Sequence, residues 1–307
     1  MKRLMTCVSL CAVLPLVLLA QGTTGQASLK KVRVNGVELH YVDQGNGVPV
    51  VFIHGGLEDY RAWQGQVESF STRYRAIAYS RRYNYPNVRV VSESRYSPIV
   101  DADDLAVLIT KLGLAPSHIV AHSYGAYVAL FLAARHPELV RSLALSEPPV
   151  LPWLREMEGG PALFTEFMSK VWEPAARGFR EQDEAGVKAA LDGFGELGYS
   201  GTDQKMTFAT LPPEARSVLL ENAPEWRVLT MSKGAFPALP LSTIKRIKAP
   251  TLLLSGQRSL KLANLIDRRL EGLLQAQRII LANATHDMWD EYPEACRNAV
   301  LAFFARH

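Results

Sequence analysis

Short apolar segments that alternate with amphipathic segments constrain the fold of this chain more than any other feature. The apolar segments are rich in β-branched and aliphatic residues, as in VPVVFIHGG, SHIVAHS and APTLLLSG. Continuous apolar runs of this length are typical of strands that are buried on both faces of a sheet. The segments PIVDADDLAVLITKLGL and GAYVALFLAARHP instead carry apolar residues at helical spacing. The alternation therefore predicts a mostly parallel sheet with helices on both faces.

The same patterns predict how many strands the sheet has. The segment KVRVNGVELHYVDQG contains two alternating strands around Asn35-Gly36, a pair that favours a tight hairpin turn. Six further strand segments follow along the chain: VPVVFIHGG, YRAIAYS, SHIVAHS, VRSLALSEPP, APTLLLSG and AQRIILANATH. We therefore expect an eight-stranded sheet.

The strand pattern is interrupted between residues 151 and 240. This stretch is helical in tendency and contains many Glu, Trp, Phe and Pro residues. Ligands of open parallel sheets bind outside the carboxyl ends of the strands. We therefore expect a helical cap over that edge, inserted after the sixth strand into a core formed by residues 28–150 and 241–307.

The first 27 residues are typical of a secretory signal peptide. Lys2 and Arg3 precede an apolar run, and small and polar residues follow it. Cleavage after either Ala20 or Ala27 satisfies the preference for a small residue. A retained membrane anchor is the alternative, but the run is near the minimum length for a bilayer span and contains Pro15. We expect an exported protein, periplasmic or secreted, with no stable membrane span after cleavage.

The composition excludes several classes of partner. Of the 307 residues, 48% are hydrophobic and 21% are charged, and the formal net charge is +4. The Lys and Arg residues form no dense block, so nucleic acid is not an expected partner. No group of His, Cys and acidic residues has the spacing of metal ligands, and we expect neither a metal nor another cofactor.

The segment IVAHSYGAYVALFLA predicts a strand, a sharp turn at Ser123 and a helix. At such a corner the serine is exposed at the edge of the sheet, and the next backbone N–H, from Tyr124, faces the reacting centre. The corner needs small flanking residues, here Ala121 and Gly125. Ser123 is therefore a candidate nucleophile, and a serine that merely caps the helix is the alternative. The ring of His122 is expected to point away from this site.

A serine nucleophile needs a base and donors for an oxyanion. Tyr124 offers one backbone N–H. Gly56, or less favourably Leu57, offers the second from the loop that follows the strand VPVVFI. His286 follows the last strand, so its loop leaves the same edge of the sheet as Ser123, and it is the predicted general base.

The base in turn needs a carboxylate that orients its ring. The segment QRS, which follows the strand TLLLSG, holds no acid. Glu147 follows the strand SLALS and precedes two prolines that fix the direction of the backbone. We predict Glu147 as the orienting acid. The alternatives are Asp287, Asp290 and Glu291, or a Glu147 that pairs with a nearby arginine.

Two further features leave alternatives open. Arg81 and Arg82 lie in the loop YSRRYNYPN and either approach the site or form structural ion pairs. Large aromatic residues of the predicted cap either line an acyl pocket or form the core of the cap. They are Trp153, Phe164, Phe167, Trp172 and Trp226.

Four segments in chain order, FIHGG, AHSYGA, APTLLLSG and NATHDMWDEYPEACRNAVLAFF, resemble the α/β-hydrolase fold superfamily. The resemblance implies the α/β-hydrolase fold, with Ser123 as nucleophile, His286 as base, and Gly56 and Tyr124 as oxyanion donors. A glutamate after the sixth strand is similar to the arrangement in haloalkane dehalogenases and in a group of fungal-toxin lactonases. Dehalogenases and epoxide hydrolases use an aspartate nucleophile, so Ser123 argues against those activities.

Together these features predict an exported serine hydrolase that cleaves a carboxylic ester, or a lactone, of a small molecule through an acyl-enzyme. A non-catalytic ligand-binding protein is one alternative, because no acid follows the strand TLLLSG. A cofactor-free haloperoxidase or a carbon–carbon bond hydrolase is another, because a fold alone does not determine a function.

Overall fold

A sheet of eight strands forms the centre of the protein. The computed structural model describes residues 28–87, 96–198 and 207–307. The strands are β1 (Lys30–Val34), β2 (Val37–Gln44), β3 (Pro49–Ile53), β4 (Arg75–Tyr79), β5 (Ser117–His122), β6 (Val140–Ser146), β7 (Thr251–Gly256) and β8 (Gln277–Leu281). They lie in the order β1-β2-β4-β3-β5-β6-β7-β8.

The sheet is mostly parallel, as predicted. β2 pairs antiparallel with both β1 and β4, and the remaining pairs are parallel. The predicted hairpin turn lies at Asn35-Gly36, where both residues have positive φ, 41° and 84°. The predicted architecture, an α/β fold with an eight-stranded, mostly parallel sheet flanked by helices, is confirmed.

Both faces of the central strands are buried. In β3, Val51 and Ile53 pack into one apolar core, and Val50 and Phe52 pack into a second core on the opposite face. Side chains of a strand alternate between its two faces, so a strand covered on both sides needs apolar residues at every position. This explains why the sequence of β3 is a continuous apolar run.

Helices cover both faces of the sheet. Within the described ranges the α-helices are α1 (Gln64–Phe70), α2 (Pro98–Lys111), α3 (Ser123–Arg135), α4 (Gly160–Phe167), α5 (Glu173–Glu181), α6 (Asp183–Glu196), α7 (Pro213–Glu221), α8 (Ala223–Met231), α9 (Leu241–Ile244), α10 (Lys261–Leu274), α11 (Met288–Glu291) and α12 (Pro293–Phe304). α1 and α12 pack on the face that carries Phe52. α2, α3 and α10 pack on the face that carries Ile53.

The stretch between residues 151 and 240, here called the insertion, contains α4 to α8. It has an apolar cluster of its own, which includes Phe179, Val187 and Leu191 and also takes in Leu57 from the loop after β3. These helices agree with the helical tendency that the sequence of this stretch predicts. The division of the chain into a core and a cap domain at these residues stays a prediction.

The predicted signal peptide, residues 1–27, lies outside the described residues. In the described ranges, no helix combines the length and the hydropathy that a bilayer crossing requires.

Candidate active site

The turn between β5 and α3 holds Ser123 in a strained backbone conformation. The φ angle of Ser123 is 51°, in the left-handed region that non-glycine residues rarely adopt. Strain of this kind persists only where the surrounding structure enforces it, and it is concentrated at functional sites. A serine raised on a strained strand-to-helix turn is the arrangement of a nucleophile elbow.

The two small residues beside Ser123 fit the turn for different reasons. A Cβ on Gly125 would lie 2.4 Å from the carbonyl oxygen of His54 and 2.6 Å from that of Ile53. Only glycine therefore fits at position 125. Ala121 pairs with Ile53 inside the sheet and is fully buried, so its methyl group is accommodated between the covering layers.

His286 and Glu147 meet at the carboxyl edge of the sheet. His286 Nδ1 lies 2.6 Å from Glu147 Oε2, and Gly256 N donates a hydrogen bond of 2.7 Å to Glu147 Oε1. Burial opposes ionisation of this carboxyl, but His286 and the Gly256 N–H outweigh it and lower the pKa of Glu147. The ionised Glu147 accepts the proton of Nδ1, so Nε2 of His286 is the nitrogen left to act as a base.

The other acids that the sequence offered for this role lie elsewhere or in other contacts. Glu291 accepts hydrogen bonds from N and Oγ1 of Thr285, each 2.8 Å long. Asp287 and Asp290 line the cavity described below. The end of β7, where the sequence lacks an acid, supplies the Gly256 N–H that binds Glu147.

The loop after β3 is held by hydrogen bonds at nearly every peptide. Gly55 O accepts from His54 Nδ1 and from Arg81 Nη2, each at 2.8 Å, and Gly55 N donates to Glu58 at 2.7 Å. Leu57 N donates to Glu225 Oε2 of the insertion at 3.0 Å. Leu57 is therefore engaged, and Gly56 is the residue of this loop whose N–H can meet a substrate.

Arg81 lies beneath this loop and is fully buried. Its guanidinium contacts Asp101 Oδ2 at 2.9 Å and Glu225 Oε1 at 2.6 Å. Burial disfavours the charged form of Glu225 and raises its pKa. Arg82 pairs with Asp104 at 2.9 Å. Of the two interpretations that the sequence left open, these arginines take the structural one.

The ring of His122 lies beside His286, so the expectation that it points away was wrong. Its Nε2 donates to the carbonyl oxygen of His286 at 3.0 Å, and the two ring centroids are 4.6 Å apart. Its Nδ1 lies 3.6 Å from Glu58. Burial opposes the charged ring, but Glu58 outweighs it and raises the pKa of His122 to about 9. Strand alternation does not determine where this ring lies, because β5 ends at His122.

A cavity of about 430 Å³ brings these residues together. Ser123, His286, Glu147, Gly56 and Tyr124 all line it. Its remaining wall is mostly apolar and comes largely from the insertion, through Phe167, Trp172, Leu191, Phe194, Leu211, Val218, Leu219, Trp226 and Leu229. Among the described residues, neither Lys nor Arg contributes to the wall.

The aromatic residues of the insertion divide between the cavity and the core. Phe167, Trp172 and Trp226 line the cavity. Trp153 is buried and donates to the carbonyl oxygen of Leu239 at 2.8 Å. In the described ranges, no group of three or more His, Cys, Asp and Glu residues is placed to hold a metal ion.

A model of the alpha/beta hydrolase fold family matches residues 48–291. The match covers most of the chain and includes every strand from β3 to β8. The chain therefore belongs to the α/β-hydrolase family.

Relatives in this family differ in the activities for which they are named. Epoxide hydrolase 3 of Mus musculus is 27% identical over 135 residues, which are 43% of this chain and 37% of the mouse protein. Non-heme chloroperoxidase CPO-A1 of Kitasatospora aureofaciens is 34% identical over 168 residues, 50% of this chain and 60% of that protein. The chain thus spans less than two thirds of the length of these curated relatives.

Solved structures of similar fold cover the chain more fully. An enol-lactonase from Burkholderia xenovorans has a TM-score of 0.71 and 22% identity, with 90% of this chain and 100% of that chain covered. An esterase from Thermogutta terrifontis has a TM-score of 0.70 and 21% identity, with 91% and 99% covered. At this level of identity the likeness shows the fold alone.

Gly125→Ala is expected to lower the free energy of unfolding by about 1–3 kcal/mol, because its Cβ overlaps two backbone carbonyls that cannot withdraw. Urea denaturation measures the loss. Ala121→Gly is the matched control and should cost no more than about 1 kcal/mol, since it only removes a methyl group from a strand. Equal losses in the two variants would contradict this account of the turn.

Glu147→Gln is expected to slow modification of Ser123 by a fluorophosphonate by about 10²- to 10⁴-fold, because a neutral amide no longer stabilises a charged His286 ring. Glu291→Gln, at the end of the short helix α11 that follows His286, is the control and should react at close to the wild-type rate. In the wild type, the lowered pKa of Glu147 keeps it ionised, so the rate should fall at low pH with the slope of one proton. A labelling rate that falls at low pH with the slope of two protons would contradict this assignment.

Arg81→Met is expected to cost about 3–5 kcal/mol of unfolding free energy at pH 8, because it leaves Asp101 and Glu225 buried without a cation. A carboxyl whose pKa is higher in the folded than in the unfolded chain destabilises the fold above its folded pKa. That cost disappears as the pH falls through the folded pKa. The loss should therefore be smaller at pH 5.5 than at pH 8 in urea titrations. Arg135→Met, which breaks an exposed pair, should cost less than about 1 kcal/mol at either pH.

Proposed function

We propose that this chain is an exported serine hydrolase that cleaves a carboxylic ester or a lactone of a small molecule. One observation carries the proposal. The strained Ser123 shares a cavity with His286, whose Nδ1 is bound to Glu147 at 2.6 Å. A nucleophile, a base of defined tautomer and an orienting carboxylate are the parts that acyl transfer requires.

The reaction follows from the positions of these groups. Ser123 Oγ attacks the carbonyl carbon while His286 Nε2 takes its proton. The N–H groups of Gly56 and Tyr124 bind the oxygen that becomes negative. Collapse of the tetrahedral intermediate breaks the bond to the alcohol, which leaves with the proton from His286. Water, deprotonated by His286, then attacks the acyl group on Ser123. The bond from the acyl carbon to Ser123 Oγ breaks, His286 returns the proton to Oγ, and the acid is released.

The composition of the cavity wall favours a substrate with an uncharged, apolar acyl group. The insertion contributes leucine, phenylalanine and tryptophan side chains, whereas the polar lining includes the acids Glu58, Asp287 and Asp290. His122, whose pKa is raised to about 9, also lines the cavity and offsets the charge of Glu58. Asp287 and Asp290 add further negative charge, which in a site of low dielectric opposes an acyl chain that ends in an anion. We therefore expect neutral esters and lactones to be better substrates than those with a free carboxylate.

Two other activities compete with this proposal. The chloroperoxidase relative favours peracid formation, in which hydrogen peroxide replaces water in the attack on the acyl-enzyme. Non-catalytic ligand binding would retain the cavity without an activated serine. Epoxide hydrolysis is disfavoured, because the position of the nucleophile holds Ser123 and, by resemblance, epoxide hydrolases use an aspartate there.

The first test treats the chain with a fluorophosphonate probe beside Ser123→Ala. We expect one phosphonylated serine in the wild type and none in the variant, because an unactivated serine does not react with such probes. Hydrolysis of p-nitrophenyl esters and of lactones is then measured with water and with peroxide as acceptor. Peroxide consumption that exceeds ester hydrolysis would favour the peroxidase alternative. A folded wild type that is neither labelled nor active would leave ligand binding.

A further inference from the structure

Trp226 of the insertion lies against the loop that carries the proposed oxyanion donor. A Cβ added to Gly56 would lie 2.6 Å from Nε1 of the Trp226 indole. Because glycine has no Cβ, the N–H edge of the indole rests directly on the Gly56 backbone. Trp226, Gly56 and Ser123 line one cavity. A side-chain donor from the insertion therefore meets a backbone donor from the core.

The position of Trp226 is held from both sides. The preceding residue, Glu225, accepts from Leu57 N at 3.0 Å and contacts Arg81 Nη2 at 2.6 Å. The indole packs against Trp172 and Phe194, with ring centroids 5.6 and 6.1 Å away. An indole fixed in this way loses little freedom when a ligand binds, which is the condition for a preorganised donor.

Within the described part of the chain, the Trp226 N–H donates no hydrogen bond. An indole nitrogen donates one hydrogen bond and accepts none. Trp153 and Trp289 donate theirs to Leu239 O and Ser146 Oγ, each at 2.8 Å. Trp226 has no such acceptor among the residues that the structure describes. A donor left unused at the wall of a cavity is available to a molecule bound there.

We propose that Trp226 is a catalytic residue whose indole N–H donates to the substrate carbonyl oxygen, as a third donor beside Gly56 N and Tyr124 N. This inference rests on the proposed ester hydrolysis. The carbonyl oxygen gains negative charge as Ser123 attacks, so a donor aimed at it binds the transition state more strongly than the substrate. The N–H therefore raises kcat and changes KM little. Glu225 is a positioning residue in this account, since it ties α8 to the loop that carries Gly56.

The test replaces the indole N–H and leaves the ring. Trp226→Phe should lower kcat for p-nitrophenyl butyrate by about 10²- to 10³-fold, the range expected for one oxyanion donor. KM should change by less than about threefold, because the lost hydrogen bond stabilises the transition state and not the bound substrate. Trp63→Phe is the matched control. It removes a buried indole N–H that also has no acceptor among the described residues, and Trp63 does not line the cavity, so kcat should stay within about threefold of the wild type.

A second substitution separates hydrogen bonding from packing. 3-Benzothienylalanine in place of Trp226 keeps the bicyclic ring and carries sulfur where the N–H was. It should lower kcat and the rate of fluorophosphonate labelling as much as Trp226→Phe does, with an unchanged unfolding midpoint.

The outcomes distinguish this inference from the function on which it rests. Wild-type kcat in the benzothienyl variant would overturn the donor role, and so would equal losses in the Trp226→Phe and Trp63→Phe variants. A wild type that neither hydrolyses the ester nor reacts with the probe would overturn the proposed function, and the role of Trp226 with it.

Discussion

Backbone strain at the carboxyl edge of the sheet is the constraint on which the rest of the site depends. Leu57, Ser123 and Glu147 have φ angles of 60°, 51° and 49°, and each lies in the turn that follows β3, β5 or β6. Such conformations cost about 1–3 kcal/mol each and persist only where the surroundings enforce them. Here the enforcement comes from neighbouring parallel strands that are buried on both faces, which fix where each turn begins. These backbone conformations place the three residues at the wall of one cavity.

A buried charge network joins the insertion to this edge. Arg81 contacts Asp101 and Glu225, and Glu225 also accepts the Leu57 N–H. Taking these charges out of water is costly, so the network adds less to stability than its short distances suggest. The role of the network is to fix the orientation of α8. The Glu225 carboxylate of α8 contacts Arg81, Asn84 and the Leu57 N–H at the same time, and these contacts hold α8 against the loop after β3.

Much of the site was predictable because strand ends have a simple geometric meaning. Ser123, Glu147 and His286 each follow an apolar strand segment, and the carboxyl ends of parallel strands share one edge of a sheet. The sequence therefore indicated that these three side chains lie near each other, and the structure has His286 Nδ1 and Glu147 Oε2 2.6 Å apart. The ring of His122 was misjudged, because strand alternation stops where the strand stops. Glu58, which lies beside His122 in the structure, belongs to no sequence motif that would have indicated this contact.

The sequence by itself determined the elements and their order: eight strands, the helices that cover them, the turn at Ser123 and the helical insertion. These follow from local rules. The periodicity of apolar residues indicates which positions are buried, and small residues indicate where two segments of the chain approach closely. Only the tertiary structure decided which N–H groups stay available at the loop after β3. Leu57 meets Glu225 across 168 residues of chain, and Trp226 meets Gly56 by the same docking of α8. Contacts at that separation depend on how the insertion packs on the core, and no local pattern encodes that packing.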